Sequence, residues 1–209
     1  MATAIPLEGD VDNTGVLRIV KAGFLLAVIQ AVTVVLVSIV NKSLDNPANR
    51  TLTAILVFIG AMITAFYPGT RTNPRTIEGI AGAAGIGCLA TWVYVPIDAF
   101  ILQPFGVYTN RWHEIGGFSI WWYLPVWWMV GTFISWQGGW ILANLNNREG
   151  RISVPKAIVL TTICTLVIGA IAAAVHFPRA GWYVPTFAVA MLPGLVLANV
   201  ISAMGRRRA

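Results

Sequence analysis

The feature that most constrains this chain is a series of long apolar segments separated by short connections that carry the charges. Each segment is close to the roughly 20 apolar residues that an α-helix needs to cross a bilayer. None alternates apolar and polar residues as a transmembrane β-strand does. The sequence therefore predicts an all-α membrane protein, a polytopic bundle of about six transmembrane helices. The six predicted spans are Val16–Val40, Thr51–Tyr67, Ile77–Leu102, Phe118–Leu145, Val154–Phe177 and Trp182–Met204.

The composition agrees with this prediction and limits the number of domains. Only 11% of the 209 residues are charged, whereas soluble domains contain about 25% charged residues. Six spans leave no room for a soluble domain of roughly 100 residues, which argues against nucleotide-driven pumps and kinases. We expect an acidic cytoplasmic arm over residues 1–15, a transmembrane domain over residues 16–204 and a basic cytoplasmic tail over residues 205–209.

The distribution of lysine and arginine predicts the orientation, because cytoplasmic loops of membrane proteins are enriched in these residues. With a cytoplasmic N-terminus, ten basic residues lie inside and four outside. We therefore expect both termini in the cytoplasm (N-in/C-in) and a place in the bacterial cytoplasmic (inner) membrane. The inner residues are Arg18, Lys21, Arg71, Arg75, Arg148, Arg151, Lys156, Arg206, Arg207 and Arg208, and the outer residues are Lys42, Arg50, Arg111 and Arg179.

This topology, together with contact to anionic lipid, also explains the net charge of +6. The basic residues are scattered among loops rather than gathered on one face, so neither nucleic acid nor nucleotide is an expected partner. The expected partners are membrane lipids and other integral membrane subunits.

The third span contains a run of small residues. Gly79, Ala83 and Gly87 are spaced by four residues and so share one helix face. Small side chains let two membrane helices approach closely. We expect these three residues to pack against another helix, from the same chain or from another subunit.

The fourth span is rich in tryptophan, because seven of the nine tryptophans lie from Trp112 to Trp140 and six of these lie within the span. Tryptophan favours the membrane interface, yet two of these residues follow Pro125 well inside the span. Their large flat rings suit contact with lipid, carotenoid, quinone or (bacterio)chlorophyll. Interface anchoring and helix packing are the simpler interpretation. The candidate cofactor contacts are Trp121, Trp122, Trp127 and Trp128.

Few ionisable residues are candidates for chemistry. His113 and His176 are the only histidines, and either could ligate a pigment or instead lie hydrated at the interface. The zincin pattern is absent around His113-Glu114, and no metal site is predicted. Asp98 follows Pro96 near the end of the third span. It is either a functional intramembrane acid or a residue that hydrates a helix end at the interface.

The sparse motifs, short loops and tryptophan-rich and small-residue faces favour a non-catalytic accessory or structural subunit of a larger membrane complex. In general character the chain is similar to polytopic accessory subunits of energy-converting complexes, including photosynthetic reaction-centre and light-harvesting assemblies. This resemblance implies a pigment- or quinone-containing photosynthetic or respiratory assembly, and it carries over no site residue.

Two alternatives remain open. One is a membrane enzyme that acts on a lipophilic substrate of the isoprenoid or carotenoid type, with Asp98, His113, Glu114 and His176 around a cleft. The other is a small-solute transporter or channel with kinked helices, for which the candidate polar residues inside the membrane are Gln30, Thr33 and Asn199.

Overall fold

The computed structural model of the chain describes residues 15–43, 48–107, 123–145, 152–177 and 180–206. The regular elements in these residues are all helical. A five-residue π-helical segment, Asp98–Leu102, extends the third helix. Most of the predicted acidic arm and residues 207–209 of the predicted tail lie outside the described residues. The helices are α1 (Val16–Ser43), α2 (Ala48–Arg71), α3 (Ile77–Ile97), α4 (Tyr123–Asn144), α5 (Val154–Ala174) and α6 (Val184–Arg206).

Five of these helices are long and apolar enough to cross a membrane, namely α1, α2, α3 with its π-helical segment, α5 and α6. Helix α4 is not among the five, because its tryptophans, its glycines and Gln137 lower its mean hydropathy. Its 22 residues nevertheless extend about 33 Å at 1.5 Å per residue. The described part of the chain is thus a multi-pass α-helical membrane protein.

Helix α4 is the central element of the bundle. It packs against α2, α3 and α6, while α1 packs against α2 and α3 and α5 packs mainly against α6. The predicted fourth span therefore joins α2, α3 and α6, and its glycines allow α2 and α3 to come close.

Helix α2 continues through Pro68 to Arg71, whereas the sequence predicted that the second span closes at Tyr67. Proline has no backbone N–H and cannot donate to the carbonyl four residues earlier, which here belongs to Thr64. The Ser135 hydroxyl of α4 donates to that carbonyl at 2.9 Å. Because a neighbouring helix satisfies the freed oxygen, the helix can continue past the proline.

The buried apolar side chains form two cores. The first lies between α2, α4, α5 and α6, and the second lies between α1 and α3 with contributions from α2. Many bulky apolar side chains point away from both cores on every helix. Such an arrangement suits helices surrounded by lipid tails, where association depends on close packing rather than on burial of large side chains. The buried residues of the second core are Ala22, Leu26, Ala27, Ile86 and Ala90.

Candidate functional site

The contact between α3 and α4 depends on small residues. At Gly87 a Cβ atom would meet the Ser135 side chain and would lie 2.6 Å from the carbonyl oxygen of Gly131. At Gly139 a Cβ atom would lie 3.3 Å from the Cβ of Ala83. Two of the three predicted packing residues, Ala83 and Gly87, thus face a helix of the same chain.

The third predicted packing residue, Gly79, lies in the first turn of α3. Its Cβ position is occupied by the backbone of Asn73 in the turn before the helix. The Gly79 backbone N–H also donates to the Thr76 hydroxyl, the helix N-cap, at 3.0 Å. Gly79 therefore fits the helix start onto the preceding turn and is not in the α3–α4 contact.

The contact between α3 and α4 also includes an aromatic pair beside an open groove. The Trp128 ring stacks on Trp92 of α3, with ring centroids 4.2 Å apart and planes inclined by 14°. The Trp128 Nε1–H is buried and has no hydrogen-bond acceptor in the described part of the chain. Trp128 also lines a groove of about 780 Å³, here called the lateral groove, where Ala81 and Ala84 of α3 leave space. Its remaining lining residues are Met129, Val130, Thr132, Phe133, Trp136 and Leu192.

A second cavity, here called the aromatic cavity, lies between α2, α4, α5 and α6 and has a volume of about 750 Å³. Its walls are almost entirely apolar. The buried Thr165 hydroxyl lines it and has no hydrogen-bond partner among the described residues. The aromatic lining residues are Phe58, Trp127, Trp182, Tyr183 and Phe187.

The structure separates the predicted cofactor-contact residues that it describes. Trp127 lines the aromatic cavity, whereas the adjacent Trp128 lines the lateral groove. His176 lies exposed just after α5, with a positive φ of 52°, and lines neither space. Trp121, Trp122 and His113, together with Glu114, lie outside the described residues.

Asp98 is buried, with 4% of its surface exposed, and it begins the π-helical segment. Its carboxylate accepts a hydrogen bond from the Gln103 Nε2 at 2.7 Å. The sequence left two interpretations of Asp98, a functional intramembrane acid or a residue that hydrates a helix end at the interface. Its burial argues against a hydrated helix end, and the functional role stays a prediction. The wide turn follows Pro96, which cannot donate to the Trp92 carbonyl four residues earlier. Such single π-turns are frequent at functional sites.

A polar network between α4 and α6 was not predicted from the sequence. The Asn199 Nδ2 donates to the Gln137 Oε1 at 2.8 Å, and the Asn144 Nδ2 donates to the Asn199 Oδ1 at 2.9 Å and to the Ser202 hydroxyl at 3.2 Å. Only Asn199 was a candidate from the sequence. The seven-residue spacing of Gln137 and Asn144 puts both on one face of α4, and this signal could have identified them.

The other two polar candidates for a transport pathway also have partners. The Gln30 Nε2 donates to the Thr64 hydroxyl at 3.2 Å and so joins α1 to α2. The Thr33 hydroxyl donates to the carbonyl of Ile29 in its own helix at 2.8 Å. These side chains thus serve contacts between and within helices.

Among the described residues, no group of three or more histidines, cysteines, aspartates or glutamates is placed to hold a metal ion. The comparisons with known proteins found no matching family model and no significantly similar curated protein or solved structure.

Proposed function

We propose that this chain is a non-catalytic integral membrane subunit of a larger complex and that its lateral groove holds a flat or elongated lipophilic cofactor at the boundary with a neighbouring subunit. The observation that carries the proposal is the Trp128 ring, which lines this apolar groove and stacks on Trp92 of α3. An aromatic ring offers a flat apolar surface against which a flat or conjugated molecule can stack.

The shape and chemistry of the groove narrow the class of cofactor. Trp128, Phe133 and Trp136 line the groove with aromatic rings, and Ala81 and Ala84 leave room beside them. A conjugated apolar molecule suits such a surface. Quinones, carotenoids and (bacterio)chlorophylls belong to this class, which makes a photosynthetic or respiratory assembly the proposed setting.

The exposed edge of the groove supports a neighbouring subunit. Met129 is 71% exposed and Trp136 is 42% exposed on the same side of α4. The glycines of α4 already face α2 and α3, so the side that carries Met129 and Trp136 is the one proposed for a partner. A subunit that covers Met129 and Trp136 would enclose the cofactor and complete the groove.

The proposal includes six membrane spans, with α4 as the fourth, in the N-in/C-in orientation and in the bacterial inner membrane. The basic residues at helix ends support this orientation. Arg18, Lys21, Arg71, Arg75 and Lys156 lie on the proposed cytoplasmic side, and Lys42 and Arg50 lie on the other.

The test is purification of the tagged chain from its native membranes in mild detergent, followed by size exclusion with ultraviolet and visible absorbance. We expect a particle much larger than 22.6 kDa plus detergent, with other proteins and visible absorption bands in the same peak. A colourless peak without partner proteins would refute the proposal.

A conservative variant links the absorption to the groove. Trp128→Phe replaces the indole that lines the groove with a smaller ring, so we expect its bands to shift or weaken by at least half. Trp140→Phe is the matched control, because Trp140 lies on the same helix and lines neither cavity. Equal spectra for the two variants would exclude Trp128 as a cofactor contact.

The buried carboxylate of Asp98 supports a second candidate, a membrane enzyme acting on an isoprenoid or carotenoid-type substrate. Acids inside membranes are often functional, and Gln103 holds this one in a fixed position. On this hypothesis Asp98→Asn abolishes the change in lipid composition that expression of the wild-type chain produces. If the lipid extracts of wild type and variant are identical, Asp98 is not catalytic.

A further inference from the structure

The ends of α1 and α2 form a basic pocket that the proposed function does not use. It has a volume of about 620 Å³ and lies where α1 begins and α2 ends, so its location at one membrane surface does not depend on the orientation of the protein. Three cations from two helices line it, namely Arg18, Lys21 and Arg71. A pocket between helices with several basic residues at the membrane surface is typical of sites for anionic lipid headgroups.

One of the three cations is held in place by an aromatic ring. The Arg71 guanidinium carbon lies 4.9 Å from the centroid of the Tyr67 ring, within the range of a cation–π interaction. This contact leaves the guanidinium N–H groups at its edge available for oxygen ligands. Arginine binds phosphate through such paired donors.

The charges of the pocket are not neutralised by the described carboxylates. Glu78 and Asp98 are the two carboxylates in the described part of the chain, and neither forms an ion pair with Arg18, Lys21 or Arg71. Three cations in one pocket repel each other. An anion with at least one full charge would relieve this repulsion.

The remaining walls of the pocket are apolar. Val16, Leu17, Ala22 and Leu25 line it beside the basic residues, and Leu17 and Leu25 are exposed on the helix surface. Acyl chains can lie along these side chains while a phosphate group contacts the cations. This combination distinguishes a phospholipid from a soluble anion.

We propose that the basic pocket binds the phosphate headgroup of an anionic phospholipid, with its acyl chains along the apolar surface of α1. Lys21 and Arg18 neutralise the phosphate from α1, and Arg71 holds it from α2. The bound lipid bridges the two helices at this membrane surface. This proposal is independent of the cofactor and of the partner complex.

The experiment measures lipid binding by native mass spectrometry of the purified full-length chain, with dioleoyl phosphatidylglycerol and dioleoyl phosphatidylcholine as probes. We expect phosphatidylglycerol to bind in preference to phosphatidylcholine, with about fivefold weaker binding for each basic residue replaced by glutamine. The variants are Arg18→Gln, Lys21→Gln and Arg71→Gln.

Lys156→Gln is the matched control, because Lys156 is an exposed basic residue at the start of α5 and does not line the pocket. Equal binding of the two lipids would overturn the proposal. So would an equal loss of binding in Lys156→Gln, which would indicate general attraction by charge.

Two further experiments distinguish a bound phospholipid from other sources of negative charge. Inorganic phosphate at millimolar concentration should leave bound phosphatidylglycerol in place, and full displacement would assign the pocket to a free anion. Glu8, Asp10 and Asp12 precede α1 in the sequence. If phosphatidylglycerol binds only after these three are replaced by neutral amides, the chain's own carboxylates occupy the pocket and the lipid proposal is wrong.

Discussion

At the scale of single residues, two glycines of α3 two positions apart differ sharply in the space around them. A Cβ atom at Gly87 would press on Ser135 and on the Gly131 carbonyl, whereas a Cβ atom at Gly85 would lie 3.8 Å from the Ile19 side chain, an ordinary contact. Glycine is thus required at one position for the approach of α4 and is dispensable at the other.

This difference predicts opposite outcomes for one substitution at the two positions. Gly87→Ala should lower the free energy of unfolding by about 1–3 kcal/mol, because an extra methyl group in a packed contact forces the neighbours apart. Gly85→Ala should leave stability unchanged or raise it, since alanine favours the helix. Thermal unfolding of both variants in the same detergent checks this, and equal losses would contradict the packing explanation.

At the scale of helices, α2 and α4 share a hydrogen bond that replaces one lost inside α2. Pro68 leaves the Thr64 carbonyl without its usual donor, and the Ser135 hydroxyl supplies one from α4. The proline within the helix and the serine on its neighbour are therefore coupled. This coupling cannot be predicted from the local sequence, because 67 residues separate the two positions along the chain.

The coupling can be measured with a double-mutant cycle. Ser135→Ala alone should destabilise the protein by about 1–3 kcal/mol, because it leaves the Thr64 carbonyl unsatisfied. In a Pro68→Ala background the restored backbone N–H can donate to that carbonyl, so the same change should cost measurably less. Chemical unfolding in detergent gives the four free energies. Strict additivity would show that the two residues act separately.

The polar network between α4 and α6 acts at the same scale. Gln137 and Asn144 of α4 each form a hydrogen bond with Asn199 of α6. Hydrogen bonds between membrane helices contribute about 0.6 kcal/mol each on average. The network therefore contributes to helix pairing, and it also specifies which faces of α4 and α6 meet.

At the scale of the whole molecule, each helix turns several bulky apolar side chains outward, while the buried positions combine small residues with large ones such as Phe66, Leu26 and Ile86. An apolar exterior of this kind suits lipid tails rather than water. The six helices then alternate direction through the bilayer in the proposed topology. In that topology the basic start of α1 and the basic end of α2 face the cytoplasm.

Cysteine labelling tests that topology. In a background with Cys88→Ser and Cys164→Ser, Asn41→Cys at the end of α1 should react with a membrane-impermeant maleimide on intact cells. Thr70→Cys at the end of α2 should react only after the cells are permeabilised. Both native side chains are exposed, so access rather than burial controls the reaction. The reverse pattern would show the opposite orientation. Identical labelling at both sites would show that α2 does not cross the membrane.

The sequence by itself determined that the chain is helical and multi-pass, because long apolar runs leave the backbone no other way to satisfy its hydrogen bonds in lipid. The four-residue spacing of Gly79, Ala83 and Gly87 also predicted a packing face on α3, of which Ala83 and Gly87 contact α4 and Gly79 does not. The ends of the helices were less well predicted, as at Pro68, where a side chain from another helix satisfies the freed carbonyl.

Only the tertiary structure decided which faces meet. It paired Ala83 and Gly87 with α4, stacked Trp128 on Trp92, buried Asp98 beside Gln103 and joined Gln137 to Asn199. The physical reason is that helical periodicity reports which residues share a face, whereas the partner of that face comes from a distant segment. That choice depends on the complementary shapes and hydrogen-bonding groups of two surfaces.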